Sequence, residues 1–210
     1  MISGWIYEHI IEIFGAVTGI IYVFLEIRQN ILLWPLGIIT SAVYIYIFRT
    51  NGFYAGMVLQ GYYLVISIYG WRAWRYRSQG GEHSSRSTGK EIKSQELKVS
   101  RINIKTSVIC LGTAILLWIG LWYILDKWTD SPVPLWDGLI TSLSVVATWM
   151  LTRKFIEQWY VWIVANAIAV IVYLASEMFP TAVLFFVYLV MAIIGVMSWS
   201  RDHHVMIRKK

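Results

Sequence analysis

Long apolar runs alternate with short polar breaks along this chain. The runs fall at about Ile10–Leu25, Ile31–Phe48, Phe53–Trp71, Ile104–Leu125, Leu135–Leu151, Ile156–Ala175 and Thr181–Trp199. Most approach the ~18–20 residues needed to cross about 30 Å of hydrocarbon. Backbone groups in lipid must be satisfied within the segment or in a closed barrel, and runs this continuous predict helices. The breaks are equally legible. Glu26-Ile27-Arg28-Gln29-Asn30 ends the first run, and Arg49-Thr50-Asn51-Gly52 makes a turn after the second. The stretch Arg75–Asn103 is rich in Ser, Gly, Lys, Glu and Arg. It predicts a solvated loop with a helical tendency around Glu91–Val99.

The pattern repeats. Shifted by 125 positions, Trp34–Trp74 falls without a gap on Trp159–Trp199. Trp34 meets Trp159, Ala42 meets Ala167, Tyr63-Leu64-Val65 meets Tyr188-Leu189-Val190, Gly70 meets Gly195 and Trp74 meets Trp199. Extended backward, the same shift pairs Arg28 with Arg153 and Glu12 with Asp137. Apolar matches are cheap between membrane spans, but Trp, Arg, Gly and carboxylate matches at one fixed shift predict an internal duplication. Three helices, one linker helix and three helices follow. Because three crossings invert the chain, one extra crossing restores the orientation, so the repeats are expected to be parallel. The segments are then a first repeat at 1–74, a hydrophilic cytoplasmic loop at 75–103, a linking helix and outer loop at 104–133, a second repeat at 134–199 and a basic tail at 200–210.

Composition supports an all-α membrane protein. The chain is 58% hydrophobic and only 14% charged, against about a quarter charged in soluble domains. Its net charge of +6 sits in loops and the tail, a membrane-flank pattern rather than a nucleic-acid surface. The basic loops predict an outside N-terminus and a cytoplasmic C-terminus, with Arg49 and Lys127 in mild dissent. No cleaved signal peptide is expected at MISGWIYEHIIEIF. Cys110 is alone, and no metal or cofactor motif is present. Span seven has no Lys for a retinal Schiff base, and neither a phosphate-cradling Gly loop nor HExxH occurs, so no catalysis is expected.

Few polar residues lie inside the spans. Gln60 and Asn166 each fit either an interhelical hydrogen bond of roughly 1 kcal/mol or a contact to a polar ligand. Trp162, Asn166 and Tyr173 share one helical face, and Gln60, Tyr63 and the Gly70-Trp71-Trp74 end share another. Aromatic faces with an amide suit a planar cationic ring, although packing explains any single member. Trp5, Trp122, Trp128 and Trp199 read as interface-belt residues. Glu12 and Asp137 start the first helix of each repeat. The helix dipole explains them; alternatively, Asp137 with Trp136, and Glu12 with them, attract or gate a cation.

The segments WPLGII and YIYIFRTNGFYAGMVLQGYYLVISIYGW, together with LWDGLITSLSVVATWMLTRKFIEQWYVWIVANAIAVIVYL, resemble the PnuC-type vitamin transporters over most of the chain. That resemblance implies a three-one-three fold distantly similar to the SWEET proteins. It implies uptake of a vitamin across a bacterial inner membrane by facilitated diffusion, with a cytoplasmic kinase trapping the product. The implied site lies midway between the repeats, at Trp34, Gln60, Tyr63, Trp162 and Asn166. Its expected ligand is a small cationic aromatic vitamin or nucleoside, nicotinamide riboside first, with thiamine and less often riboflavin as alternatives. A non-transporting receptor or scaffold is the competing class. A homo-oligomer is left open.

Overall fold

The computed structural model describes residues 2–50, 54–79, 98–129 and 131–208, with side chains described at 14–49, 57–75, 98–129 and 131–203. Seven helices lie among the described residues: α1 (Ile2–Ile27), α2 (Leu33–Thr50), α3 (Tyr54–Gln79), α4 (Ile104–Trp128), α5 (Pro134–Thr152), α6 (Gln158–Ala175) and α7 (Phe179–Arg208). Four of these, α4 to α7, contain stretches long and apolar enough to cross a membrane. Phe14–Ile27 and Leu33–Arg49 are shorter apolar stretches. Helices α1, α3 and α7 run past the expected apolar spans, because a helix ends where hydrogen bonding ends rather than where hydropathy falls. The chain forms two compact units, Met1–Glu96 and Leu97–Lys210, each described by itself.

In the first unit α2 packs along α3, and α1 meets α2. The turn between α1 and α2 holds Gln29 at φ 52, with Gln29 N donating to Glu26 O at 2.9 Å and Asn30 N to Leu25 O at 2.9 Å. A left-handed residue after a helix reverses the chain while satisfying terminal carbonyls. The turn between α5 and α6 in the second unit is built alike. Lys154 has φ 54, Lys154 N donates to Leu151 O at 2.9 Å, and Phe155 N donates to Met150 O at 3.3 Å. Every one of these atoms lies 125 positions from its counterpart. The flanking guanidiniums agree too: Arg28 lies 4.7 Å over the Phe24 ring and Arg153 lies 5.6 Å over Trp149. Repetition thus extends to backbone geometry.

Each unit also contains the same indole lock. Trp34 is fully buried, edge-on to Trp74 at 5.3 Å and 88°, and Trp159 meets Trp199 at 5.6 Å and 85°. A Cβ at Gly70 would fall on the Trp34 ring, and one at Gly195 on the Trp159 ring. Glycine is required there because the indole occupies the space of a side chain. Trp199, expected at the membrane interface, is 0% exposed inside this lock. Its proximity to a span end misled the expectation; Trp122 and Trp128 are exposed, and the side chain of Trp5 lies outside those described.

The second unit is laced around α5. Helix α4 packs along α5, α5 along α6 and α6 along α7. At Gly138 the α5 backbone comes so close to α4 that a Cβ would lie 3.0 Å from Trp122 N. Trp118 Nε1 donates to Leu135 O at 2.9 Å across the same pair. The buried face of α5 carries Ser142, Ser144, Thr148 and Thr152. Their hydroxyls donate to the carbonyls of Leu139, Ile140, Ser144 and Trp149 at 2.7–2.8 Å, so none of these four is left as an unpaired donor. Lys98 and Val99, the described end of the Glu91–Val99 stretch, are not helical, and residues 91–97 lie outside the described residues. Ser100 bridges Phe155 in parallel, with Ser100 N donating to Lys154 O at 3.1 Å and Ile156 N to Ser100 O at 3.1 Å. Ile102 N donates to Glu157 Oε2 at 3.0 Å, and His203 Nδ1 lies 3.1 Å from Val99 O. This strap fastens the start of α4 to the α5–α6 turn and the end of α7.

Candidate functional site

Helix α6 presents the densest set of polar groups without partners. Asn166 is 5% exposed in the middle of the helix. One turn earlier, the buried Nε1 of Trp162 lacks a partner among the described residues. Spacing of i, i+4 places Trp162 and Asn166 on one face. Farther along, the Tyr173 and Phe185 rings meet at 5.2 Å, tilted by 31°, and Phe185 meets Tyr188 edge-on at 5.8 Å. Ala165 and Ala169 are buried beside Asn166, so α6 packs closely through small side chains and leaves the amide and indole as its polar groups. An unpaired amide in an apolar interior costs roughly 1–3 kcal/mol, which a polar ligand or ordered water would recover.

Gln158 belongs to this set and was not singled out by its pattern. Its side chain is fully buried, and neither amide atom has a hydrogen-bond partner among the described residues. Spacing places it one turn before Trp162 on the same face. At the edge of an apolar span Gln158 reads as a solvent-facing residue. Its mismatch with Leu33 under the 125-residue shift was the available signal.

In the first unit, Gln60 and Tyr63 are half-buried on α3, and the Tyr63 ring lies 5.5 Å from that of Tyr62. Tyr22 of α1 is within electrostatic range of Tyr62, Tyr63 and Glu26. Tyr22 also lies against α2, since a Cβ at Gly37 would be 3.2 Å from its ring and 2.8 Å from Ser67 Oγ. Ser41, the counterpart of Asn166, is 3% exposed. Trp34 differs from the other expected ligand residues: its ring is enclosed by Gly70 and Trp74 of its own unit. At the start of α5, Asp137 accepts a 2.5 Å hydrogen bond from Ser131 Oγ and lies within electrostatic range of Tyr173. Trp136 beside it is 43% exposed. Glu12, expected at the start of the first helix, instead lies inside α1, which begins at Ile2 because the helix extends past the apolar span. Its side chain lies outside those described.

Long apolar helices and hydroxyls returned to their own helix carbonyls define a multi-pass helical membrane protein. The chain belongs to the nicotinamide mononucleotide transporter family, whose model it matches over residues 9–201. It is 24% identical over 201 residues to the nicotinamide riboside transporter PnuC of Escherichia coli (strain K12), covering 90% of this chain and 84% of that protein. It is 25% identical over 197 residues to the nicotinamide riboside transporter PnuC of Neisseria mucosa, covering 89% and 70%. A crystal structure of the vitamin B3 transporter PnuC has the same fold, with a TM-score of 0.64 and 22% identity over 89% of this chain and 79% of that one. These relatives are named as transporters, not enzymes.

Proposed function

We propose that this protein takes up nicotinamide riboside across a bacterial inner membrane. Two parallel three-helix repeats joined by α4 carry it, with the N-terminus outside and the C-terminus in the cytoplasm. Transport proceeds by alternating access without an energy source of its own, and a cytoplasmic kinase traps the product. Gln60, Tyr63, Trp162 and Asn166 contact the substrate, and Trp34 holds α2 against α3 from inside its lock.

The observation that carries this reading is Asn166 with Trp162. A carboxamide and an indole in an apolar helix offer what a nicotinamide ring uses: an amide partner, and an aromatic face worth about 0.5–2 kcal/mol to a cation. The family description names the mononucleotide, but the riboside fits these helices better. Every Lys and Arg in the helices stands near a helix end, at Arg49, Arg72, Arg75, Arg77, Lys105, Lys127, Arg201 and Arg208. A phosphate carried to the level of Asn166 would meet no cation in its own helix, and desolvating it would cost several kcal/mol. Thiamine also carries a cationic ring and is the alternative substrate.

Titration of purified protein with nicotinamide riboside, its mononucleotide and thiamine tests the choice. Riboside binding at least tenfold tighter than either is expected. Tight thiamine binding without riboside binding overturns it. Uptake into proteoliposomes enclosing a riboside kinase tests transport itself, and no uptake there would favour a receptor.

A further inference from the structure

The last turn of α1 buries a carboxylate. Glu26 is 2% exposed, one residue before the end of the helix. Local helix energetics do not explain it, because the helix C-terminus carries partial negative charge and disfavours an acid. An ionisable group buried in a membrane helix marks a functional site by default.

Its surroundings are specific to one repeat. Tyr22 stands one turn earlier on the same face, in electrostatic range of Glu26, Tyr62 and Tyr63. Space for the Tyr22 ring comes from Gly37, and Ser67, 3% exposed, borders the same gap. Under the 125-residue shift, Tyr22, Glu26, Gly37, Tyr62 and Ser67 correspond to Ala147, Leu151, Trp162, Val187 and Ala192. The second unit therefore fills the equivalent place with an indole and aliphatic groups, though the framework around it is the same. A carboxylate and two phenols kept in one copy only are not framework. Tyr63 is shared by both copies as Tyr188, and one helical turn links it to Gln60.

We propose that Glu26, with Tyr22 one turn before it on the same helix face, is the counter-charge for a cationic heteroaromatic ring, so that the first unit selects substrate by charge. Phenol faces attract a cation through their quadrupoles, and a buried carboxylate strengthens that attraction where water cannot screen it. The carboxylate in turn is stabilised when a cation arrives, so charged ligands gain and uncharged isosteres do not. This rests on the riboside reading above and adds to it which residue reads the ring's charge.

The test compares the full-length protein and Glu26→Gln for binding of nicotinamide riboside and of its uncharged dihydropyridine form. The wild-type protein is expected to prefer the cation by at least tenfold, and Glu26→Gln to bring that ratio to about one while the dihydro form binds as before. Glu26→Asp, which keeps the charge, should retain the preference. A Glu26→Gln protein that keeps the wild-type ratio, or loses both ligands equally, overturns the proposal. Should Glu26→Gln not fold, competition on the wild-type protein decides: 1-methylnicotinamide must displace bound riboside at concentrations where neutral nicotinamide does not, and equal displacement refutes it. If the wild-type protein binds neither form of the riboside, the functional reading itself has failed, a result distinct from the loss of charge preference.

Discussion

Gly195→Ala probes the lock that both repeats share. The added Cβ would sit 2.5 Å from Trp159 Cδ2 and 2.6 Å from Cε2 and Cε3. That is about 1 Å inside an optimal carbon–carbon contact, so the ring or the helix must move. Trp159 is 1% exposed and is held edge-on by Trp199, which leaves the indole no free direction. Overpacking of this kind costs about 1–3 kcal/mol, offset in part by the roughly 0.5–1 kcal/mol that alanine gains over glycine in a helix. Gly61 and Gly112 supply the controls, since nothing lies within 4 Å of a Cβ at either position. The assay is thermal unfolding in detergent. At about 2–4 °C per kcal/mol, Gly195→Ala should melt some 4–8 °C below Gly61→Ala, and Gly61→Ala should match or exceed the wild type. Trimming the partner tests the cause: adding Trp159→Phe to Gly195→Ala should destabilise by less than the two single effects combined. If Gly195→Ala melts with the controls, the indole does not need the glycine, and the lock is not a framework element.

Other substitutions probe separate parts. Asn166→Ala and Trp162→Ala should each weaken riboside binding about tenfold or more, a loss of roughly 1.4 kcal/mol, without lowering membrane insertion; unchanged affinity in both, by titration, would remove α6 from the site. Asn103 caps α4 by accepting from Thr106 N at 2.7 Å, so Asn103→Ala should cost about 1 kcal/mol in thermal unfolding. Glu177 has φ 59 after α6, and Glu177→Gly should stabilise by about 1 kcal/mol by relieving a left-handed backbone; a lower melting temperature would show that the side chain is needed there.

The repeat was legible because it rests on residues that cannot be exchanged. A glycine under an indole, a second tryptophan against it and an arginine at the turn leave the same trace in both copies. The polar face of α6 was legible in part. Trp162, Asn166 and Tyr173 follow from helical spacing, whereas Gln158 and Glu26 stand at span ends, where polar residues ordinarily meet water. Trp199 failed for the mirror reason: a span-end tryptophan ordinarily belongs to the interface, and only its contact with Trp159 shows otherwise.

Sequence by itself determined the number and order of the helices, the 125-residue repeat and the family. Hydropathy and backbone satisfaction act locally, and periodicity survives in the chain. Only the tertiary structure decided which span-end residues are buried. Burial depends on what the neighbouring helix brings to the same point, and neither Glu26 beside Tyr22 nor Gln158 in its enclosed position encodes that in its own segment.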